Sequence, residues 1–231
     1  MDFGKAFSYP FEDQDWPKKV GVAALMVLIP VIGTLAVAGW GIAITRRVIR
    51  KDPEPLPDWA DFGKMLGDGL KVMVVWLFYL LPVILVQVCI QVAVLGSMET
   101  VNDETLATLL TVVVFCISCL VIIYAMVMAF IIPAALGNMA AKDELKAAFR
   151  FGEVFGLVRK EPGAYALVFL GSLAAGFIGS LGMVACFVGV FFTAAYAATI
   201  NAHLRGQAYL LAAPGPGAGS IDATEIMPAD F

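Results

Sequence analysis

The chain has 231 residues, 61% of them hydrophobic and 15% charged, with a formal net charge of -4. An ordinary soluble domain carries roughly 45–50% apolar and 25% charged residues, so this much apolar surface calls for lipid to cover it. The acidic balance offers no basic face for a nucleic acid and excludes that class of partner. The length suits a single all-α domain, a polytopic bundle of four to six membrane helices.

In chain order, residues 1–16 carry Asp2, Glu12, Asp13 and Asp15 among aromatics. They are unlike the basic start and small-residue cleavage site of a secretory signal, so the first apolar segment is expected to belong to the mature fold. That segment, 20–44, is interrupted by Pro30 and Gly33 and has basic pairs on both sides, Lys18 with Lys19 and Arg46 with Arg47. A single span would put one pair on the outer face, against the positive-inside rule. A re-entrant hairpin hinged at Pro30 and Gly33 keeps both pairs inside and is favoured over one span.

A proline-rich connector, 51–57, leads to an amphipathic stretch, 58–70, with Trp59, Phe62, Met65 and Leu66 at helical spacing. This predicts an interfacial helix. The next span, 72–95, contains Pro82, Gln87 and Gln91. Its exit loop holds Glu99, Asp103 and Glu104 and no Lys or Arg, so it is expected outside the cytoplasm. A long span follows over 106–136, with Pro133 at its cytoplasmic end. A second interfacial helix, 142–160, carries Lys142, Lys146, Arg150, Arg159 and Lys160. Residues 163–202 suffice for two short spans turning at 179–182. The Pro- and Gly-rich acidic tail, 212–231, is predicted to be disordered.

No Lys or Arg lies between 72 and 141. With every basic residue on one side, both termini are expected in the cytoplasm. Asp2-Phe3-Gly4-Lys5 recurs at Asp61-Phe62-Gly63-Lys64, with an echo at Phe149-Arg150-Phe151-Gly152-Glu153. Each copy precedes an apolar segment, which suggests hairpin repeats over 1–50, 58–141 and 142–205 within a membrane domain of residues 1–211. The alternative is that aromatic, Gly and Lys residues suit any interfacial helix. The Asp-Phe-Gly string also occurs in protein kinases, but no accompanying kinase motif is present.

The polar residues inside apolar runs are few. Gln87 and Gln91, at i and i+4, share a helix face and could contact a neighbouring helix or line a polar path with Tyr79, Tyr124 and Asn201. His203 and Arg205, at the end of the last span, either bind a lipid headgroup or form a solvated helix end, and Arg159 and Lys160 are further headgroup candidates. Cys89, Cys116, Cys119 and Cys186 lie in apolar runs and are expected as helix-packing residues rather than redox or metal ligands. No catalytic, metal-binding or cofactor-binding constellation is visible, so the chain is not expected to be an enzyme.

Several strings carry a family resemblance: Asp15-Trp16 before Lys18-Lys19, Ile29-Pro30-Val31-Ile32-Gly33, and Gly39-Trp40 before Arg46-Arg47. Leu56-Pro57-Asp58-Trp59, Asp68-Gly69-Leu70-Lys71, and Tyr196 with His203-Leu204-Arg205-Gly206-Gln207-Ala208-Tyr209 continue it. From about Asp2 to Tyr209 the chain resembles the domain-of-unknown-function family 4013, a group of prokaryotic multi-pass membrane proteins. The resemblance implies a bacterial or archaeal membrane location and transfers no activity. The expected role is an accessory, assembly or scaffold subunit of a membrane complex, in contact with lipids and with other subunits or a second copy. The alternative is a permease for a small neutral or amphiphilic, lipid-like substrate.

Overall fold

The computed structural model describes residues 1–100, 104–185 and 188–213. Every regular element among them is helical, as an apolar chain requires. Away from water each backbone N–H and C=O must find an internal partner, and a helix supplies one.

Helix α1 (Phe3–Ser8) starts behind Asp2, whose carboxylate accepts the Lys5 N–H at 3.0 Å. A 3-10 turn, Tyr9–Glu12, leads into α2 (Trp16–Val27), and Pro17 sits in its first turn, where no N–H is needed. The chain then breaks at residues 28–31. Val31 adopts a φ of 66°, strained for a β-branched residue, and α3 (Ile32–Arg50) follows. A Cβ at Gly33 would lie 1.7 Å from the Met26 carbonyl oxygen, so only glycine lets the start of α3 pass the end of α2.

Helices α4 (Phe62–Thr100) and α5 (Glu104–Lys142) each have 39 residues. At 1.5 Å per residue they are about 58 Å long, roughly twice a bilayer's hydrocarbon core. The interfacial helix expected over 58–70 is not separate, because a 3-10 turn at Trp59–Asp61 runs straight into α4. Pro133 likewise lies inside α5 rather than ending it. Neighbouring helices tolerate such a proline by taking up the groups it frees.

The stretch expected as one interfacial helix over 142–160 is divided. Asp143, with a φ of 56°, ends α5, and a 3-10 segment (Leu145–Phe149) precedes α6 (Phe151–Lys160). Helix α7 (Pro162–Leu181), a 3-10 turn (Gly182–Ala185) and α8 (Val188–Ala212) complete the bundle. The last turn thus begins at the end of the expected 179–182, and α8 runs ten residues past the expected end at Ala202. The expected tail beyond 213 and residues 101–103 of the expected 96–105 loop lie outside the described residues, while 96–100 and 104–105 belong to α4 and α5. The three recurring strings each open a helix: Phe3, Phe62 and Phe151 are the first residues of α1, α4 and α6.

Among the described residues, four helices are long and apolar enough to cross a membrane: Ile32–Arg50, Trp59–Gly96, Thr108–Lys142 and Pro162–Leu181. Leu77, Leu85, Leu109, Phe115 and Ile123 on α4 and α5 project outward, an apolar surface suited to lipid. These features mark the chain as a membrane protein. Cys89 and Cys116 are also exposed, and Cys119 is half-buried. The first two therefore project from the outer surface instead of packing between helices as expected. Cys186 lies outside the described residues.

Helix α8 is the hub, packed against α2, α3, α5 and α7. Helices α3 and α4 touch backbone to backbone. A Cβ at Gly39 would fall 1.7 Å from the Met65 carbonyl oxygen, and one at Gly69 would fall 1.8 Å from that of Leu35.

The charged groups gather where α3, α4 and α5 meet the connecting segments. Arg46 donates to Asp68 at 2.6 Å and also to Asp143, tying α3 to α4 and to the end of α5. Lys19 pairs with Asp13 at 2.9 Å. Burial works to raise the Asp13 carboxyl's pKa, but the Lys19 ammonium and the N–H groups of Asp15 and Leu56 overcome it and hold the carboxyl below its ordinary range. Lys142 and Asn138 both donate to Glu153, and these bonds, the lysine's first, bring its carboxyl down to about 2.

Two outcomes follow. Gly69→Ala forces α3 and α4 apart and lowers stability in detergent by about 1–3 kcal/mol, whereas Gly67→Ala, with nothing within 4 Å of its Cβ, raises it by up to about 1 kcal/mol. Thermal unfolding of the two variants compares them directly. Glu153 is depressed from 4.5 to about 2, so its stabilisation is complete above pH 4.5 and fades as the pH falls towards 2. The gap in melting temperature between wild type and Glu153→Gln should therefore be widest near neutrality and close across that acidic window.

Candidate functional site

Helices α3, α4, α5, α7 and α8 do not close on one another completely. Small residues face the space between them, among them Ala38 and Gly41 on α3, Ala129 on α5 and Ala198 on α8, and they leave a cavity of about 670 Å³. That volume lies within the range of ordinary ligand pockets.

The cavity has two distinct ends. Gly41, Val72, Leu136, Val168 and Arg205 form its inner end, and all but Arg205 are buried. Thr34, Trp76, Ala125 and Leu173 line the other end, and all four are exposed. From Ala125 to Leu136 along α5 the depth is about 16 Å. The open end lies at a level where α4 also presents apolar side chains such as Leu77 and Phe78 outward.

Polar groups cluster towards the inner end. Ser172 on α7 donates to the Asn201 side-chain oxygen at 2.7 Å, and the Asn201 amide donates to the Ala197 carbonyl at 3.0 Å. Arg205, one turn further along α8, donates from Nε to the Asn201 backbone carbonyl at 3.3 Å. Its Nη1 and Nη2 groups have no ion-pair or hydrogen-bond partner among the described residues. Arg46 and Arg47, the other arginines that are not exposed, are both paired with carboxylates.

Of the residues singled out from the sequence, Asn201 and Arg205 line this cavity. Tyr79 and Tyr124 do not. They bound a separate space of about 320 Å³ between α4, α5 and α6, beside Phe78, Pro82, Phe151 and Phe155. There the Tyr124 hydroxyl donates to the Tyr79 carbonyl at 2.7 Å and the Tyr79 hydroxyl donates to the Ala148 carbonyl at 2.8 Å, a structural use of both. Gln87 and Gln91 are exposed on the outer part of α4, away from either space. Arg159 and Lys160 are exposed at the end of α6. Pro30 lies in the break at residues 28–31 and Gly33 in the first turn of α3, just before Thr34.

His203 requires a correction. It was expected at a solvated helix end or on a headgroup, but its ring is buried and stacks on Tyr9 with centroids 4.1 Å apart. The cause is the extra length of α8 together with the N-terminal segment laid along it: the Asp2 N–H donates to Gln207 at 3.1 Å, and Tyr196 donates to the Phe7 carbonyl at 2.6 Å.

Ser172, Thr34 and Trp76 were missed by sequence reasoning. Ser172 is one of two hydroxyl residues between Leu167 and Leu181, a faint signal. The four-residue spacing of Asn201 and Arg205 was a stronger one, but it counts only once α8 is known to continue past Ala202.

No curated protein and no solved structure matches the chain. The model of a family described as proteins of unknown function matches residues 22–188, well over half of the 231 residues. The chain therefore belongs to the family of proteins of unknown function DUF4013.

Proposed function

We propose that this membrane protein holds a lipid-like amphiphile in the cavity between α3, α4, α5, α7 and α8, as part of moving or presenting it. The observation that carries this is the cavity's form: about 670 Å³, lined mostly by apolar side chains, with the Ser172–Asn201 pair on its wall and Arg205 at its inner end. A protein that only organises other subunits has no use for such a space. We assign it no catalytic step, and its partners are membrane lipids.

In this account α2 and α3 form a re-entrant hairpin, α4 with α5 and α7 with α8 form spanning hairpins, and the basic ends of all three lie in the cytoplasm with both termini. The orientation follows the positive-inside rule, and the plasma membrane of a prokaryote is what the family resemblance implies. Lys19 and Trp40, on either side of the turn at 28–31, both reach the connector at 56–57, which favours the re-entrant form over one span. The three helix-opening strings accord with a triplicated unit of interfacial segment plus hairpin.

The accessory-subunit reading retains one specific support. Gly176 and Gly179 on α7 have no atom within 4 Å of a Cβ built on them, and small residues on an uncovered face admit close approach of another helix. Gly176→Leu with Gly179→Leu should then disrupt a complex or oligomer on native gels while leaving the cavity intact.

The amphiphile account is tested by filling the cavity. Ala198→Phe and Ala129→Phe should each reduce co-purifying lipid, counted by native mass spectrometry after mild extraction, several-fold or more, since about 1–3 kcal/mol is at stake in such overpacking. Gln87→Leu with Gln91→Leu, outside the cavity, should leave it unchanged. Full occupancy in both filled variants would rule out the cavity as the site.

A further inference from the structure

Arg205 is the feature that a merely apolar pocket does not explain. A guanidinium stays charged under all ordinary conditions and presents five N–H donors in a rigid fork. Of these, only Nε has a partner among the described residues, the Asn201 carbonyl at 3.3 Å. The remaining groups stand at the inner end of a cavity whose walls are Val72, Leu136 and Val168. A charge in such surroundings is costly unless an opposite charge meets it, and no carboxylate pairs with Arg205 among the described residues. Arg46, which is buried, has two carboxylates, Asp68 and Asp143.

We propose that the counter-charge comes with the ligand: the cavity binds an amphiphile with one apolar chain and a single anionic headgroup, a carboxylate or a phosphate monoester, received by Arg205. This assignment rests on the cavity being a ligand site, and adds the ligand's charge and orientation. The headgroup lies at the inner end, where the fork of Nη1 and Nη2 can bond two oxygens at once. Asn201, whose amide has two hydrogens and one described acceptor, Ala197, stands beside it. The chain runs along Leu80, Met128 and Ala129 towards the mouth. The depth of about 16 Å and the volume suit one chain rather than two.

The experiment uses the full chain in nanodiscs of zwitterionic phosphatidylcholine, with dodecanoate, dodecyl phosphate, dodecanol and inorganic phosphate as probes and bound adducts counted by native mass spectrometry. Wild type should take dodecanoate and dodecyl phosphate about tenfold or more tightly than dodecanol, the effect of charge-assisted bonds to a half-buried guanidinium. Arg205→Gln should abolish that preference while leaving dodecanol binding as it was, and Arg205→Lys should keep part of it. Asn201→Asp, which gives Arg205 a carboxylate one turn away, should depress anion binding selectively and serves as the second variant if Arg205→Gln folds poorly. Equal binding of all three dodecyl probes by wild type, or a preference that survives both variants, would overturn the assignment while leaving the cavity as a neutral site. Displacement of dodecyl phosphate by equimolar inorganic phosphate would show a site for the free anion and would overturn the amphiphile. Binding of no probe at all would overturn the ligand-site account itself.

Discussion

Four consecutive backbone carbonyls, those of Glu54, Pro55, Leu56 and Pro57, are each met by a side chain from elsewhere in the chain. Arg47 donates to the first at 2.9 Å, Tyr9 to the second at 2.7 Å, Lys19 to the third at 2.9 Å and Trp40 to the fourth at 3.0 Å. Prolines cannot enter a helix here, and three of these four donors are buried, so without them the connector would leave several carbonyls bare, each at a cost of about 1–3 kcal/mol. The same contacts fix the relative positions of α1, α2, α3 and α4. Trp59 stacks on Trp40 with centroids 5.5 Å apart and donates to the Lys19 carbonyl, closing the group. Asp13 accepts from both Lys19 and the Leu56 N–H.

The motifs that first suggested a family acquire a physical meaning from this cluster. Lys19, Trp40, Arg47, Pro57 and Trp59 belong to it directly. Asp68 and Gly69 in the next string supply the Arg46 ion pair and the close contact of α4 with α3. In the last string His203 lies beneath Tyr9, and a Cβ at Gly206 would meet Val48 at 2.6 Å. Held in this way at one end, α3, α4, α5, α7 and α8 leave the cavity between them. Arg205 and Asn201 face that space from the same helix whose opposite side carries His203.

Hydropathy made the apolar segments and the break at Pro30 legible in the sequence, because a proline followed by a glycine within an apolar run has few other uses. Boundaries were less accessible. The joining of residues 58–70 to the following span and the continuation of α8 to Ala212 go with packing against distant sequence, Gly69 on Leu35 and Gly206 on Val48. The same gap explains the site. Asn201 and Arg205 were visible as polar residues near a helix end, but their place in a cavity depends on how far α8 extends. Gln87 and Gln91 had a persuasive spacing and proved to lie on an exposed face, which periodicity alone could not distinguish from an inward one.

The account stands on the connector holding both flanks of α2 and α3 at one face of the membrane. Impermeant maleimide labelling of single cysteines at Lys18, Val31 and Lys51, in a cysteine-free background, tests this directly in right-side-out and inside-out vesicles. The first and third should label from the cytoplasmic side only, and the second from neither. Labelling of Lys18→Cys and Lys51→Cys from opposite sides would make residues 20–44 a single span and contradict the account.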